Sequence, residues 1–431
     1  MVNAVVFRGV RVFPGYGEVL SEPVDVRVDG STITSIGPPR QEHAPSSKGQ
    51  VGGSADGVVT IDGAGRVLMP GLIDAHWHAA YAAISVQEAL MADPGYLHLK
   101  AGVEAGRTLL RGFTTVRDVG GPVFALKRAI DEGVLAGPRI FPSGAVISQT
   151  SGHGDFRSRH EVPRDPCAGL SHTERVGAAT IADGPDQVLR AVREQLMLGA
   201  SQIKVMAGGG VASPYDPLDV TQYTEPELRA AVEAAEDWGT YVTVHAYTPA
   251  AIARSVAAGV RCIEHGHLAD DKTAQLMAER GVWWSLQPFL DDEHLIPIPS
   301  PAGRAKQLEV VAGTERAYEL ARRNGVKIAW GSDTLFDPAL ATQQGAQLAK
   351  MTRWFTPAQV LTMATSANAE LLTLSGPRHP YPGVLGRIEV GALADLLLLD
   401  GNPLTDPSLL TQPQTSMLVI MKDGLLHKNT T

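Results

Sequence analysis

Cysteine is scarce in this sequence. Only Cys167 and Cys262 occur in 431 residues, too few for a disulfide framework. Cys262 sits in an apolar run that reads as a buried strand, so redox chemistry is not expected. Long apolar runs are missing too: no stretch reaches the roughly 18 uninterrupted apolar residues of a membrane span. The opening segment, MVNAVVFRGVRVF, has no apolar core followed by a small-residue cleavage site, and the expectation is a soluble, cytoplasmic protein. Basic clusters are absent, and a net charge of -9 offers no footprint for nucleic acid. What is present is ordinary globular composition, 44% hydrophobic and 19% charged, enough for one large domain and a smaller one.

Residues 4 to 37 alternate apolar and polar positions around a turn at Val28, Asp29 and Gly30, as short antiparallel strands do. Residues 38 to 57 are rich in Pro, Gly and Ser and read as a mobile surface loop without assigned function. Strand patterning returns near residue 385 with GRIEVGALADLLLLDGNPL and then MLVIMKDGLLHKN. The two ends are therefore expected to share a sheet, a small composite β-sandwich domain built from 1–66 and 383–431.

Between them, over 67–382, β-rich segments alternate with helical ones, the pattern of βα units on a parallel sheet. Strands are expected at Val67 to His76, Thr114 to Asp118, Arg139 to Ser143, Gln202 to Met206, Tyr241 to His245, Cys262 to His265, Trp283 to Gln287 and Ile328 to Asp333. Helices are expected at Pro185 to Leu198, Glu225 to Trp238 and Thr356 to Leu372, from apolar residues at three- and four-residue spacing. Eight such units make a (β/α)8 TIM barrel, where reactive groups collect at the C-terminal ends of the strands.

Candidate ligands pass that positional test. His76 and His78 are two residues apart at the end of the first strand, and period-two geometry points both to one side. His245, His265 and Asp333 end the fifth, sixth and eighth strands. Taken singly, a core histidine or a helix-capping aspartate is the commoner fate. Five coincidences at the same end of successive strands favour a metal site. Lys204 lies within an apolar run, where a charged ammonium needs a partner. Either a neighbouring carboxylate supplies one, or the neutral amine takes up carbon dioxide as a carbamate able to bridge two cations.

With these residues in place, the chain resembles the amidohydrolase superfamily over nearly its whole length. The motifs are PGLIDA followed by His76-Trp77-His78, then Lys204, His245, His265, Asp333 in GSD, and the closing GRIEVGALADLLLLD. The resemblance implies one divalent ion on His76, His78 and Asp333, a second on His245 and His265, and an N6-carboxylysine at Lys204 bridging both. Zinc is the expected metal, since imidazole and oxygen donors suit it, with manganese or cobalt as substitutes. GFTTVRDVGG, GPRIFPSG, SGHGD and IKVMAGGGVASPYD further resemble the imidazolonepropionase-like branch. That branch contains prolidase-type dipeptidases and enzymes that split ochratoxin A into phenylalanine and an isocoumarin acid.

The resemblance thus implies hydrolysis of N-acyl amino acids with a free carboxylate. A water between two cations has its pKa lowered towards neutrality, and Asp333 is expected to pass the proton to the departing amine. His153 in SGHGD is expected to bond the carbonyl oxygen or carboxylate, with Tyr215 as a weaker candidate. Arg139 and Arg157 could grip a carboxylate by their forks, or could equally be structural ion pairs. Trp283 and Trp284 could line an aromatic pocket, although alternation lets only one of them face the interior. Rival readings are a cyclic-amide hydrolase, a deaminase of the same superfamily, or a non-catalytic scaffold. A small-molecule substrate and a homo-oligomer are expected, with neither nucleic acid nor membrane as partner.

Overall fold

The computed structural model describes residues 4–39, 57–162, 169–213 and 215–431. Cys167 and most of the expected surface loop lie outside the described residues. The N-terminal strands are β1 (Ala4–Val12), β2 (Val24–Asp29), β3 (Thr32–Gly37), β4 (Val58–Asp62) and β5 (Val67–Pro70). The central ones are β6 (Leu72–Trp77), β7 (Phe113–Asp118), β8 (Arg139–Pro142), β9 (Val146–Ser148), β10 (Ala179–Ile181), β11 (Ile203–Met206), β12 (Val242–Ala246), β13 (Cys262–His265), β14 (Trp283–Leu286) and β15 (Ile328–Trp330). The chain closes with β16 (Leu396–Leu399), β17 (Met417–Lys422) and β18 (Leu425–Asn429).

Among the described residues these strands form three sheets. Both chain ends share the first, ordered β18-β17-β16-β5-β1-β2-β3 with β4 also on β1. The LLLL strand β16 explains the join. Leu396 and Leu398 face a core with Phe7, Val26 and Ile33, whereas Leu397 and Leu399 pack into the large central core. A strand apolar on both faces is buried on both, and each leucine contributes about 1.5–3 kcal/mol.

The second sheet, β10-β9-β11-β12-β13-β14-β15, and the third, β6-β7-β8, are parallel throughout. Helices such as Pro185–Leu198 and Glu225–Asp237 cover them. Hydrogen bonds bridge the two sheets on both sides. Asp333 N–H donates to the His76 carbonyl at 2.9 Å, and Ser201 N–H donates to that of Pro142 at 2.8 Å. Asn368 strengthens the first junction, its Nδ2 donating to the Ile73 and Trp330 carbonyls at 2.7 and 2.8 Å.

Three expectations need correction. The strand expected over Val67 to His76 is two strands, because the chain changes partners at Gly71. Gly71 N–H donates to Asp395, whereas Leu72 N–H donates to Gly112, which puts β5 and β6 in different sheets. Two short strands, β9 and β10, follow β8 where a loop was expected, so His153 follows β9. The helix expected over Thr356 to Leu372 contains a π-helical stretch, Met363–Ala367. Within it, Thr365 and Ser366 hydroxyls both donate to the Gly15 carbonyl, a tertiary partner invisible to local periodicity.

Candidate active site

Apolar strands bring the candidate groups to one cavity of about 820 Å³, lined by His76, His78, His153, Lys204, His245, His265 and Asp333 among others. His76 lies in β6 and His78 just past its end. His245 is the penultimate residue of β12, His265 ends β13, and Asp333 follows β15 by three residues. Two backbones there are strained: His265 has φ +71° and Asp333 φ +51°. Such left-handed conformations in non-glycine residues are held by surrounding structure and cluster at functional sites. Gly331 allows the close approach, since a Cβ there would lie 2.4 Å from that of His76.

Each of the four imidazoles spends one ring nitrogen on an oxygen at its back. His76 Nδ1 lies 2.8 Å from Glu264 Oε2, His78 Nδ1 2.9 Å from the Gly120 carbonyl, and His265 Nδ1 2.8 Å from Gln287 Oε1. His245 does so with Nε2, 3.1 Å from the Gly209 carbonyl. In a neutral ring, donation to these oxygens would fix the tautomer and leave the other nitrogen's lone pair for a ligand. Asp333 faces the first pair, its Oδ1 lying 3.1 Å from His76 Nε2 and 3.4 Å from His78 Nε2. Ligand atoms of His76, His265 and Asp333 lie within 4.8 Å of one another. Burial alone would raise the Asp333 carboxyl, but His76 and His78 hold it well below the usual range. Burial pushes His245 and His265 well down, towards the neutral form a metal requires.

Lys204 is 2% exposed, and among the described residues its amine has no hydrogen-bonded or ion-paired partner. Burial pushes its pKa down, against the pull of Glu264 and Asp333. The donor set and this solitary amine fit a metal centre with a modified lysine.

His153 stacks on His245 with ring centroids 4.3 Å apart. Its Nδ1 lies 2.6 Å from Ser213 Oγ and 3.5 Å from Asp216 Oδ2. Gly210 makes room for it, because a Cβ there would lie 2.1 Å from the imidazole ring. Lys306 secures the surrounding loop by donating to the Gly210, Ser213 and Asp216 carbonyls. Tyr215 lines the cavity, half-exposed, with the Arg159 guanidinium 5.4 Å from its ring.

The two arginines are not brought there. Arg139 is paired with Asp395 and Asp423 at 2.9 and 2.8 Å, tying β8 to the sheet of the chain ends. Arg157 makes a fork to Asp155 at 2.6 and 2.7 Å. Neither lines the cavity, because each guanidinium is already committed to carboxylates elsewhere. The two tryptophans also point away: Trp284 donates its indole N–H to the His265 carbonyl at 2.7 Å, and Trp283 packs with Ala75, Tyr241 and Cys262. Phe289 lines the wall instead.

Sequence reading passed over several buried charges beneath the site. Glu264 and Arg117 form an ion pair of 2.6 Å, both fully buried. Asp118 accepts from Ala79 and Gly120 N–H, and burial pushes its carboxyl up to about 6. Asp74 accepts from Ser332 N–H and Oγ–H, from Gln344 and from His76 N–H, linking β6 to the Asp333 loop. Each is buried in a short strand that also carries other polar residues, a weaker signal than the one that singled out Lys204.

Comparisons with known proteins agree with this architecture. A model of the amidohydrolase family matches residues 67–425. Ochratoxinase from Aspergillus niger is 32% identical over 377 residues, 84% of this chain and 76% of that protein. A crystal structure of a prolidase complexed with N-methylphosphonate-L-proline is 36% identical at TM-score 0.86, covering 99% of this chain and 100% of that one. A Xaa-Pro dipeptidase with methionine bound in its active site is 29% identical at TM-score 0.81, with coverage of 99% and 100%. On these matches the chain belongs to the amidohydrolase family, in the branch of prolidases and ochratoxinases, and is a hydrolase of carbon–nitrogen bonds.

Proposed function

We propose that this enzyme is a binuclear metal-dependent amidohydrolase that cleaves N-acyl amino acids or dipeptides carrying a free carboxylate, ochratoxin A among them. The cavity floor is the main support: four imidazoles that each spend one ring nitrogen on an oxygen at their back, beside Asp333 and a Lys204 without a partner among the described residues. His76, His78 and Asp333 would hold one ion and His245 and His265 the other, with carboxylated Lys204 between them. Zinc suits these donors. Ions so held would supply Lewis acidity, able to make water nucleophilic near neutral pH and to polarise a carbonyl.

The chain's own residues do the rest. Asp333 takes the proton from the attacking water and delivers it to the departing amine. His153, steadied by Ser213 and Asp216, hydrogen-bonds the carbonyl oxygen or the substrate carboxylate. Tyr215 is the second candidate for the carboxylate, since Arg139 and Arg157 are engaged elsewhere. Val86, Leu90, Phe156, Phe289, Ile296 and Phe336 supply apolar walls for a large acyl or amino-acid side chain. The relatives named ochratoxinase and prolidase support the substrate class.

The same proposal takes the two parallel sheets as one (β/α)8 barrel over 67–382, joined through Asn368 and Ser201. The shared sheet of 1–66 and 383–431 then forms the smaller domain. No helix among the described residues is long and apolar enough to cross a membrane. A cytoplasmic homo-oligomer is the proposed form.

The test is a hydrolysis panel of Xaa-Pro, Xaa-Arg and Xaa-Phe dipeptides and ochratoxin A, each with and without chelator. Chelator-sensitive turnover of at least one supports the proposal. An inert panel beside turnover of a cyclic ureide or an aminated ring would overturn the substrate class.

A further inference from the structure

Under the cavity floor lies a charged pair that ligand chemistry alone does not account for. Arg117 and Glu264 are both fully buried in the strand layer, at the end of β7 and near the end of β13. Every polar atom of the pair is engaged. Arg117 Nη2 donates to Glu264 Oε1 at 2.6 Å, Nη1 to Tyr241 Oη at 3.2 Å, and Nε to the Ala75 carbonyl at 2.6 Å. Glu264 Oε1 also accepts from the Thr243 hydroxyl and Cys262 thiol, while Oε2 accepts from His76 Nδ1 at 2.8 Å.

Stability does not explain such a pair. Removing two charges from water is expensive, and an apolar pair of the same volume is often as stable or more so. Its contacts show what it holds. One end grips the carbonyl preceding His76, and the other takes the ring nitrogen of His76 that faces away from Asp333. Backbone and ring of one histidine are thus fixed from below by a single rigid unit.

We infer that Arg117 and Glu264 form a positioning pair that sets the tautomer and orientation of His76 for metal binding. The inference rests on the metal reading proposed above. A carboxylate behind a ligating imidazole raises its basicity and locks its rotation, and loss of such a partner weakens metal affinity by about 10–100-fold. A merely structural pair would affect the melting of the metal-free protein and leave the affinity of the folded protein alone.

The experiment uses the full chain, stripped and then titrated with zinc against a chromophoric chelator, with the visible spectrum of the cobalt-substituted protein as a second readout. Glu264→Gln keeps the shape but cannot accept from both His76 and Arg117 as the carboxylate does. We expect zinc affinity to fall by about 10–100-fold and the cobalt spectrum to shift. Arg117→Lys carries the same test should Glu264→Gln fail to fold, because an ammonium lacks the fork that reaches Ala75 and Glu264 together. Folded variants with unchanged affinity and spectrum would overturn the positioning role while leaving the metal site standing. A wild-type protein that binds neither metal would overturn both.

Discussion

Arg117 in β7 and Lys204 in β11 are both buried basic side chains, and their surroundings differ completely. Arg117 has a carboxylate at 2.6 Å and three further acceptors, whereas Lys204 has no such partner among the described residues. Burial opposes both charges. For Arg117 the field of Glu264 outweighs it and holds the guanidinium charged, while for Lys204 burial prevails and the pKa falls. Buried charge therefore has two meanings in one fold. A paired ion orients its neighbours, whereas an amine without such a partner is a candidate for chemistry.

Substitution at each position can break this contrast. Lys204→Ala is expected to have the largest effect on catalysis, lowering kcat/KM by about three orders of magnitude, or about 4 kcal/mol of transition-state stabilisation. The metal-free protein should melt no lower than wild type. Steady-state kinetics and calorimetry check both halves, and an intact rate would remove the carbamate from the mechanism. Arg117→Ala should, besides weakening zinc binding, destabilise the fold by about 3–5 kcal/mol, because Glu264 is left buried without its guanidinium. Urea denaturation of the metal-free protein measures it.

Smaller effects sharpen the picture. His153→Ala is expected to reduce kcat by about 100-fold with metal content unchanged, as loss of one transition-state hydrogen bond does. Elemental analysis beside the kinetics separates this from loss of a ligand. Bicarbonate should speed reactivation of stripped enzyme by zinc, and should have no such effect on Lys204→Ala. Least of all on activity, Arg139→Gln should leave KM for carboxylate substrates unchanged while lowering the melting temperature, since its carboxylates belong to the protein. A raised KM would return Arg139 to the substrate.

Much of this was legible in the sequence because strand-end placement needs only local information. His76, His78, His245, His265 and Asp333 announce themselves by type and by position in apolar runs, and the structure lines one cavity with all of them. What was illegible depended on partners far along the chain. Arg139 gives no local sign that Asp395 waits 256 residues later, nor Gly71 that its N–H turns towards the same aspartate. The π-helical stretch Met363–Ala367 likewise meets a distant partner, the Gly15 carbonyl, which accepts from Thr365 and Ser366. Glu264 and Arg117 escaped the criterion applied to Lys204, because their strands carry other polar residues and their pairing spans 147 positions.

The pairing of β5 with β16 has a consequence for how the molecule is made. Leu68 sits opposite Leu398, so a strand synthesised early must wait for nearly the whole polypeptide before its neighbour leaves the ribosome. Until then β5 presents an unsatisfied hydrogen-bonding edge beside exposed leucine and methionine, a template for pairing with another nascent chain. Premature termination between residues 333 and 396 should therefore yield aggregate rather than a working fragment, even though every candidate ligand would already have been translated.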